Sequence, residues 1–379
     1  MLTAVVHGAG DLRVEERPEP VPGPGEVLVA MTHGGVCGSD LHYYREGAVG
    51  SFVLREPLVL GHEVVGRVAE DPSGRLRPGT AVAVHPGTSC GSCQECREGH
   101  RHVCRDTRYL GSAAAFPHTQ GGFAQRLAVD AERLYTVPGG LPQSRAVLAE
   151  PLAVALHALR RAGGVAGARV LVNGSGPIGA LTAGAARAQG AEEVWASDVR
   201  APQLRIAERA GAGRRVLLGQ EALPDEHFDV IVEASGAPSA PAAVLAAVRR
   251  RGVIVQLGSP PAGPVGVPFG PLVAKEAELR GSFRFAGGLD TALTMLASSP
   301  HLADVVTRTF RLPDAVRAME TAADPAVPGK VVLRLDDGTD DETEDETEDE
   351  TGEAREAAAR EGAAASDGTT RTTTWRAAP

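Results

Sequence analysis

No apolar run in this chain of 379 residues approaches the ~20 residues needed to span a bilayer. The opening Met1-Leu2-Thr3-Ala4-Val5-Val6-His7 lacks the basic start and long apolar core of a signal peptide. It reads as a first strand, and a cytoplasmic protein is the expectation. Lysine is almost missing: Lys275 and Lys330 are the only two among 38 basic residues, a bias from which no function follows. Cysteine is scarce and odd in number, five in all, which argues against a disulfide framework and for thiolate chemistry. An excess of basic charge is also absent. The formal charge is −10, but residues 336–379 carry 15 acids against 4 arginines, which leaves residues 1–335 at +1. A near-neutral body gives no electrostatic basis for binding nucleic acid, and the chain is long enough for two domains of ordinary size.

The cysteines that are present fall into two groups. Cys90, Cys93, Cys96 and Cys104 form Cys-x2-Cys-x2-Cys-x7-Cys on a charged, glycine-containing loop. Four thiolates at such spacing can converge on one tetrahedral zinc in a closed, structural site. Cys37 stands apart, in Gly35-Val36-Cys37-Gly38-Ser39-Asp40-Leu41-His42, shortly before Gly61-His62-Glu63. A thiol, imidazoles, a hydroxyl and carboxylates between glycines suggest a catalytic zinc site. The zinc-protease motif needs a second His where Gly66 stands, so that reading fails.

Taken in order, residues 1–34 read as short strands, Thr3–His7, Leu12–Glu15 and Glu26–Thr32, separated by Pro- and Gly-rich turns. Val64–Ala69 and Ala81–Val84 continue them, so this region reads as a partly open antiparallel barrel. Residues 145–160 read as a helix with Pro151 in its first turn and Glu150, after an apolar approach, as a buried and partnered carboxylate.

From Arg169 strands and helices alternate. Strand 170–172 leads into Gly174-Ser175-Gly176-Pro177-Ile178-Gly179, a G-x-G-x-x-G, then an alanine-rich helix, then strand Glu193–Ser197 ending on Asp198. Gly174 permits the tight turn, Gly176 lets backbone approach a pyrophosphate, and Gly179 lets the helix pack on the strand. The helix N-terminus attracts phosphate, and Asp198 would accept from the ribose hydroxyls. Helices Pro202–Ala210 and Ala237–Arg250 and strands Asp229–Glu233, Val253–Leu257 and Glu278–Phe283 extend this into an α/β, doubly wound parallel sheet. Asp198 favours NAD, while Arg200 keeps NADP open. A helix at Leu289–Ala297, strand Phe310–Leu312, helix Pro313–Glu320 and strand Lys330–Leu335 close the body, the last strand rejoining the first domain. The Asp/Glu/Thr repeats from Asp336 onward are too polar to bury a core and read as a disordered acidic tail.

Hydride transfer from an alcohol needs a Lewis acid, a route for the proton and a hydride acceptor. Zinc, Ser39 with His42, and the Gly174–Asp198 site would supply them. Through Gly61-His62-Glu63-Val64-Val65-Gly66, the four-cysteine lobe and Gly174–Gly179, the sequence resembles the zinc-dependent medium-chain alcohol and polyol dehydrogenases over about residues 1–335. The resemblance implies a GroES-like catalytic domain, 1–150 completed by about 285–335, a Rossmann domain, 151–284, two zinc ions per chain, and a homodimer or homotetramer. It also implies that Cys37 and His62 bind the catalytic zinc. Alcohol dehydrogenases complete that site with a second cysteine; here Glu150 matches its position, which points to the polyol branch, where Glu63 or Glu150 serves. Ser39 would take the alcohol proton and His42 relay it.

Within that branch, Cys37–Tyr44, Gly50-Ser51-Phe52, Gly111–His118, Gly121-Gly122-Phe123 and Gly281–Phe285 are similar to the L-idonate 5-dehydrogenases. Sorbitol and xylitol dehydrogenases share part of this and differ around Phe116–His118. The implied substrate is a sugar acid or polyol, with Tyr43, Phe116 and Arg284 at the substrate, the arginine as bidentate partner of a carboxylate. L-Threonine 3-dehydrogenase activity is a more distant alternative. A nucleotide-binding protein without turnover is a non-enzyme alternative, against which the intact Cys37, Ser39, His42, His62 and Glu150 argue. One departure stands out: the family's arginine five residues after Asp198 is Gln203 here, with Arg200 and Arg205 nearby.

Overall fold

Short strands punctuated by glycine and proline give the N-terminal half two larger, mainly antiparallel sheets and two small two-stranded ones. In the computed structural model, which describes residues 1–261 and 263–336, Leu2–Gly8 pairs with Asp11–Glu16 and with Leu58–Val59. The expected acidic tail lies outside the described residues apart from Asp336. A second, seven-stranded sheet is centred on Glu26–Gly35, which pairs with Glu63–Glu70, Arg126–Asp130 and Lys330–Arg334. The strand at 330–334 thus returns from the far end of the chain to the N-terminal sheet. Alternating apolar residues of these strands, among them Val27, Val29, Met31, Val64, Val82 and Leu333, close over Phe123 in one core. Gly61 (φ 95°) passes so close to the Phe123 ring that any side chain there would collide with it. His62 and Glu63 follow this fixed point directly.

The second half is a six-stranded parallel sheet in the spatial order Arg214–Leu217, Glu193–Asp198, Arg169–Asn173, Phe228–Glu233, Val248–Gln256, Glu278–Gly281. That order reverses direction beside Arg169–Asn173, which opens a crevice at the carboxyl ends of the strands. Arg214–Leu217 carries two exposed arginines and gave no apolar signal. The helix read as Ala237–Arg250 is shorter, Ala240–Ala247. Val248 already faces Phe228 across the sheet, and Arg249 pairs with Asp229, so these residues join the strand instead. The strand read at Phe310–Leu312 is Val306–Arg311, and the following helix is Ala315–Ala323, because 312–314 form a tight turn of 3-10 helix.

The helix Ala149–Ala162 links the halves. It is almost wholly buried, holds Glu150 in its first turn, and ends at Gly163 (φ 95°). No helix among the described residues is long and apolar enough to cross a membrane.

Candidate catalytic metal site

Cys37 sits where the strand Glu26–Gly35 gives way to the helix Gly38–Glu46, and is that helix's N-cap. Three residues on, Asp40 closes the cap: its Oδ2 accepts from the Cys37 N–H at 2.9 Å. The other oxygen accepts from the Gly61 N–H at 3.2 Å and lies 3.8 Å from His62 Nδ1. One fully buried carboxylate therefore ties the Cys37 segment to the Gly61-His62-Glu63 segment. Sequence reading overlooked Asp40, although its capping distance from Cys37 was visible.

The Cys37 sulfur, a His62 nitrogen and a Glu63 oxygen all lie within 4.8 Å of one another. Burial alone would push the His62 imidazole down, but the Cys37 thiolate and the Asp40 and Glu150 carboxylates outweigh it and raise it to about 10. A field that holds a proton so firmly also favours a divalent cation. Sulfur, nitrogen and carboxylate oxygen converging in a buried place form a donor set suited to zinc.

Glu150 reaches this region from the helix Ala149–Ala162. It is not one of the three converging residues; its Oε1 accepts from the Tyr109 hydroxyl at 2.8 Å. Burial and the neighbouring Glu63 push it up to about 7 against the opposing pull of His62. Glu63 is held from the other side by Lys330, whose Nζ lies 2.6 Å from Oε1 and in contact with Oε2. Both partners are buried, at 0% and 3% exposure, so the pair is a true interior ion pair. Neither Tyr109 nor Lys330 had a local signal in the sequence. Arg284, in the left-handed region (φ 50°), stacks its guanidinium 4.1 Å from the centre of the Tyr109 ring.

Ser39 and His42 lie on the helix Gly38–Glu46, a helix that the sequence reading did not identify. His42 is exposed, with Nδ1 2.9 Å from Glu46 Oε1. Tyr43, on the same helix, is buried at 2% exposure in the N-terminal core, where its hydroxyl accepts from the Ala113 N–H at 2.9 Å. Phe116 is 55% exposed and carries the Arg55 guanidinium 4.5 Å from its ring centre.

The glycine-rich turn has the form a dinucleotide needs. A side chain at Gly174 would strike Ser235, and one at Gly179 would strike the Gly174 carbonyl, whereas Gly176 faces open space. Pro177 and Ile178 begin the helix Pro177–Ala188. Asp198 Oδ2 accepts from the Ser175 N–H at 2.7 Å and Oδ1 from the Arg200 N–H at 2.9 Å, so the acid clamps the turn. The Arg200 guanidinium donates to the Pro325 carbonyl at 3.2 Å. Gln203 is buried, its amide nitrogen 3.4 Å from the Val327 carbonyl.

Away from this centre, the sulfurs of Cys90, Cys93, Cys96 and Cys104 lie within 4.8 Å of one another. The Ser92 and Cys93 N–H groups draw the Cys90 thiol down to about 6. Against the pull of the Cys96 N–H, burial and the neighbouring Cys96 and Cys90 sulfurs push Cys93 up to about 11, holding a proton that a metal would displace on binding. This is the donor set of a closed zinc site.

Comparison with known proteins agrees with this geometry. Residues 23–139 match the family model of the alcohol dehydrogenase GroES-like domain, and residues 177–298 that of zinc-binding dehydrogenases. The chain is 39% identical to L-idonate 5-dehydrogenase (NAD(P)(+)) of Escherichia coli K12 over 315 residues, which is 81% of this chain and 91% of the relative. It is 36% identical to sorbitol dehydrogenase of Gallus gallus over 334 residues, 84% of this chain and 92% of the relative. The crystal structure of Escherichia coli L-idonate 5-dehydrogenase superposes with a TM-score of 0.84 at 37% identity, covering 88% of this chain and 98% of that one.

Proposed function

As the chain belongs to the zinc-dependent medium-chain dehydrogenases, with their GroES-like and Rossmann architecture and their zinc and NAD(P) cofactors, we propose that it oxidises a secondary hydroxyl of a sugar acid. L-Idonate to 5-keto-D-gluconate is the leading case, with the hydride passing to NAD. The observation that carries the acid preference is Arg284. Among the described residues it has no carboxylate within 4.0 Å, yet it is held half-buried over Tyr109, whose hydroxyl touches Glu150. A guanidinium positioned but uncompensated is suited to a substrate carboxylate, which it can bind through two parallel hydrogen bonds. The likeness to an L-idonate 5-dehydrogenase supports the same choice.

Zinc held by Cys37, His62 and Glu63 or Glu150 supplies Lewis acidity toward the hydroxyl oxygen, and NAD supplies the hydride acceptor. Asp40 orients His62. Lys330 neutralises Glu63, which lowers the negative charge facing a hydroxyl that must lose its proton. Ser39 accepts that proton, and His42, three residues on and exposed beside Glu46, hands it to solvent. Tyr43 supports the wall of the site from within the core, and Phe116 with Arg55 forms its rim. Asp198 favours the ribose hydroxyls of NAD over the 2′-phosphate of NADP. The working unit is a cytoplasmic homodimer or homotetramer, with domains at 1–150 plus about 285–335 and at 151–284.

The test is a panel of L-idonate, D-gluconate, sorbitol, xylitol and L-threonine with NAD and NADP. L-Idonate with NAD should give the highest kcat/KM. Arg284→Gln should lower kcat/KM for the acids by roughly ten- to a hundredfold, the loss of a charged hydrogen-bonded pair, with little change for sorbitol. Equal effects on acids and polyols would overturn the acid preference and favour the sorbitol- or xylitol-type reading, which the similarity to sorbitol dehydrogenase supports. NADH binding without turnover on any member would favour the nucleotide-binding alternative.

A further inference from the structure

Glu233 ends the strand Phe228–Glu233 and is only 1% exposed, yet it belongs to neither group of converging metal ligands. Its Oε1 accepts from the Ser235 N–H at 2.9 Å, from the Asn173 side-chain amide at 3.3 Å and from the Ser235 hydroxyl. Oε2 accepts from the Gln256 side-chain amide at 2.5 Å and from the Gly236 N–H at 3.1 Å. The same Gln256 nitrogen donates to the Gly258 carbonyl at 2.8 Å. Every partner of the carboxylate is a neutral donor. It thereby joins the carboxyl ends of three adjacent strands, those ending at Asn173, Glu233 and Gln256. Asn173 extends the connection to a fourth, its Oδ1 accepting from the Ser197 hydroxyl at 2.8 Å.

The segments that leave these strands pack backbone on backbone. A side chain at Gly174 would strike Ser235, one at Gly236 (φ 65°) the Ser259 carbonyl, and one at Gly258 the Gly236 nitrogen. Such contacts bring the segments close without interlocking side chains to hold their register. An apolar residue at 233 would fill the same interior place without the cost of burying a carboxylate away from any cation. What it could not do is hold these donors in one arrangement.

The crevice of this sheet crosses the end of the strand Arg169–Asn173, with Asp198 on one side and Glu233 and Gln256 on the other. With the adenosine ribose at Asp198 and the pyrophosphate at the glycine-rich turn, the nicotinamide half falls on the Glu233 side. The helix Ala149–Ala162, which carries Glu150, packs against the strands that end at Glu233 and Gln256.

We propose that Glu233 is a positioning residue for the nicotinamide half of the dinucleotide. By tying Ser235, Gly236 and, through Gln256, Gly258 to the segment behind the glycine-rich turn, it sets where the hydride acceptor rests. Small displacements of a reacting group are costly to hydride transfer, so a fixed wall on this side serves the chemistry directly. The role rests on the NAD(P) use of the family and not on which hydroxyl is oxidised.

The test is calorimetric titration of the full-length, zinc-loaded protein with NADH, NADPH and 5′-AMP. Glu233→Gln keeps size and shape but turns an NH2 toward donors, whichever way the amide faces. It should weaken the preferred reduced dinucleotide roughly tenfold or more, through the loss of charge-assisted hydrogen bonds. Binding of 5′-AMP, which reaches only the Asp198 side, should be unchanged. Gln256→Met, close in volume, breaks the tie to Gly258 and should weaken the dinucleotide severalfold, again without effect on 5′-AMP; it decides if Glu233→Gln does not fold. Dinucleotide affinity unaltered in a folded variant, or an equal loss of 5′-AMP, would overturn the role of Glu233 alone. A parent protein that binds neither NADH nor NADPH would overturn the cofactor assignment and this role with it.

Discussion

Cys90, Cys93, Cys96 and Cys104 come from one short stretch, and their sulfurs meet chiefly each other and backbone N–H groups. Cys37, His62 and Glu63 also converge, but their partners are charged or hydroxylic side chains from positions 40, 109, 150 and 330. The lobe is a local knot in which the metal replaces an apolar core that the loop cannot build. The catalytic cluster is a balance of buried charges assembled from across the chain. Losing a member of the first should cost order; losing a member of the second should cost chemistry or leave an unbalanced charge.

The largest expected effect separates them directly. His62→Ala should lower turnover about a thousandfold or more, the loss of several kcal/mol of Lewis-acid stabilisation, while the chain stays folded and keeps about one zinc. Cys93→Ser should do the reverse, keeping the catalytic zinc and lowering Tm by about 5 °C or more. Metal analysis beside a thermal melt checks both. A lobe variant that melts normally, or a His62 variant that still turns over, would break the comparison.

Next comes the interior ion pair. In the zinc-free protein, Lys330→Met leaves Glu63 charged, buried and unpaired, which should destabilise the fold by about 3–5 kcal/mol in urea denaturation. The double variant Glu63→Gln/Lys330→Met removes both charges and should recover most of that loss. If the double variant is no better than the single, the pair is not what balances this region.

A smaller effect contrasts two buried imidazoles of the same domain. His62 is surrounded by anions, whereas His33, at 9% exposure, has no hydrogen-bond partner on either ring nitrogen. Burial, aided by Arg334, draws His33 from 6.5 down to about 4. Below 6.5 the unfolded chain takes up a proton that the folded chain refuses. Stability is therefore complete above pH 6.5 and falls as pH drops toward 4, by on the order of 3 kcal/mol from this group. His33→Leu should flatten that part of the profile, measured as the difference from the parent protein between pH 7 and 4.

How much of this could be read in advance follows the same division. The cysteine lobe, the G-x-G-x-x-G turn and the strand–helix alternation are local patterns, and the structure places them as spacing required. At the candidate metal site the sequence pointed to Cys37, His62 and Glu63, which the structure brings together, and to Glu150, which it buries outside that converging set. Its supports were not legible, because Lys330 and Tyr109 have no sequence relation to the residues they hold. The near absence of lysine gave no functional hint, yet both lysines are committed: Lys330 to Glu63, and Lys275 to the Leu245, Ala246 and Val248 carbonyls at a helix end. The helix Gly38–Glu46 escaped notice because its first turn is glycine and polar residues, whose commitment to helix comes from the Asp40 cap.

That cap supplies the subtlest test, because Asp40 belongs to both architecture and chemistry. Asp40→Asn keeps size and shape but offers one acceptor oxygen where two are in use, and turns an NH2 toward either the Cys37 or the Gly61 N–H. The helix start and the Gly61 turn would then separate slightly, and His62 would lose the carboxylate beside Nδ1. Residues that orient a metal ligand typically contribute ten- to a hundredfold to metal affinity. Asp40→Asn should therefore release the catalytic zinc to a chelator at roughly ten- to a hundredfold lower chelator concentration, while the lobe zinc is released as in the parent. Equal loosening of both metals would mean that the substitution acts through general unfolding. Loosening of the catalytic metal alone would show that a helix cap, legible in the sequence at its capping distance from Cys37, also tunes the metal site.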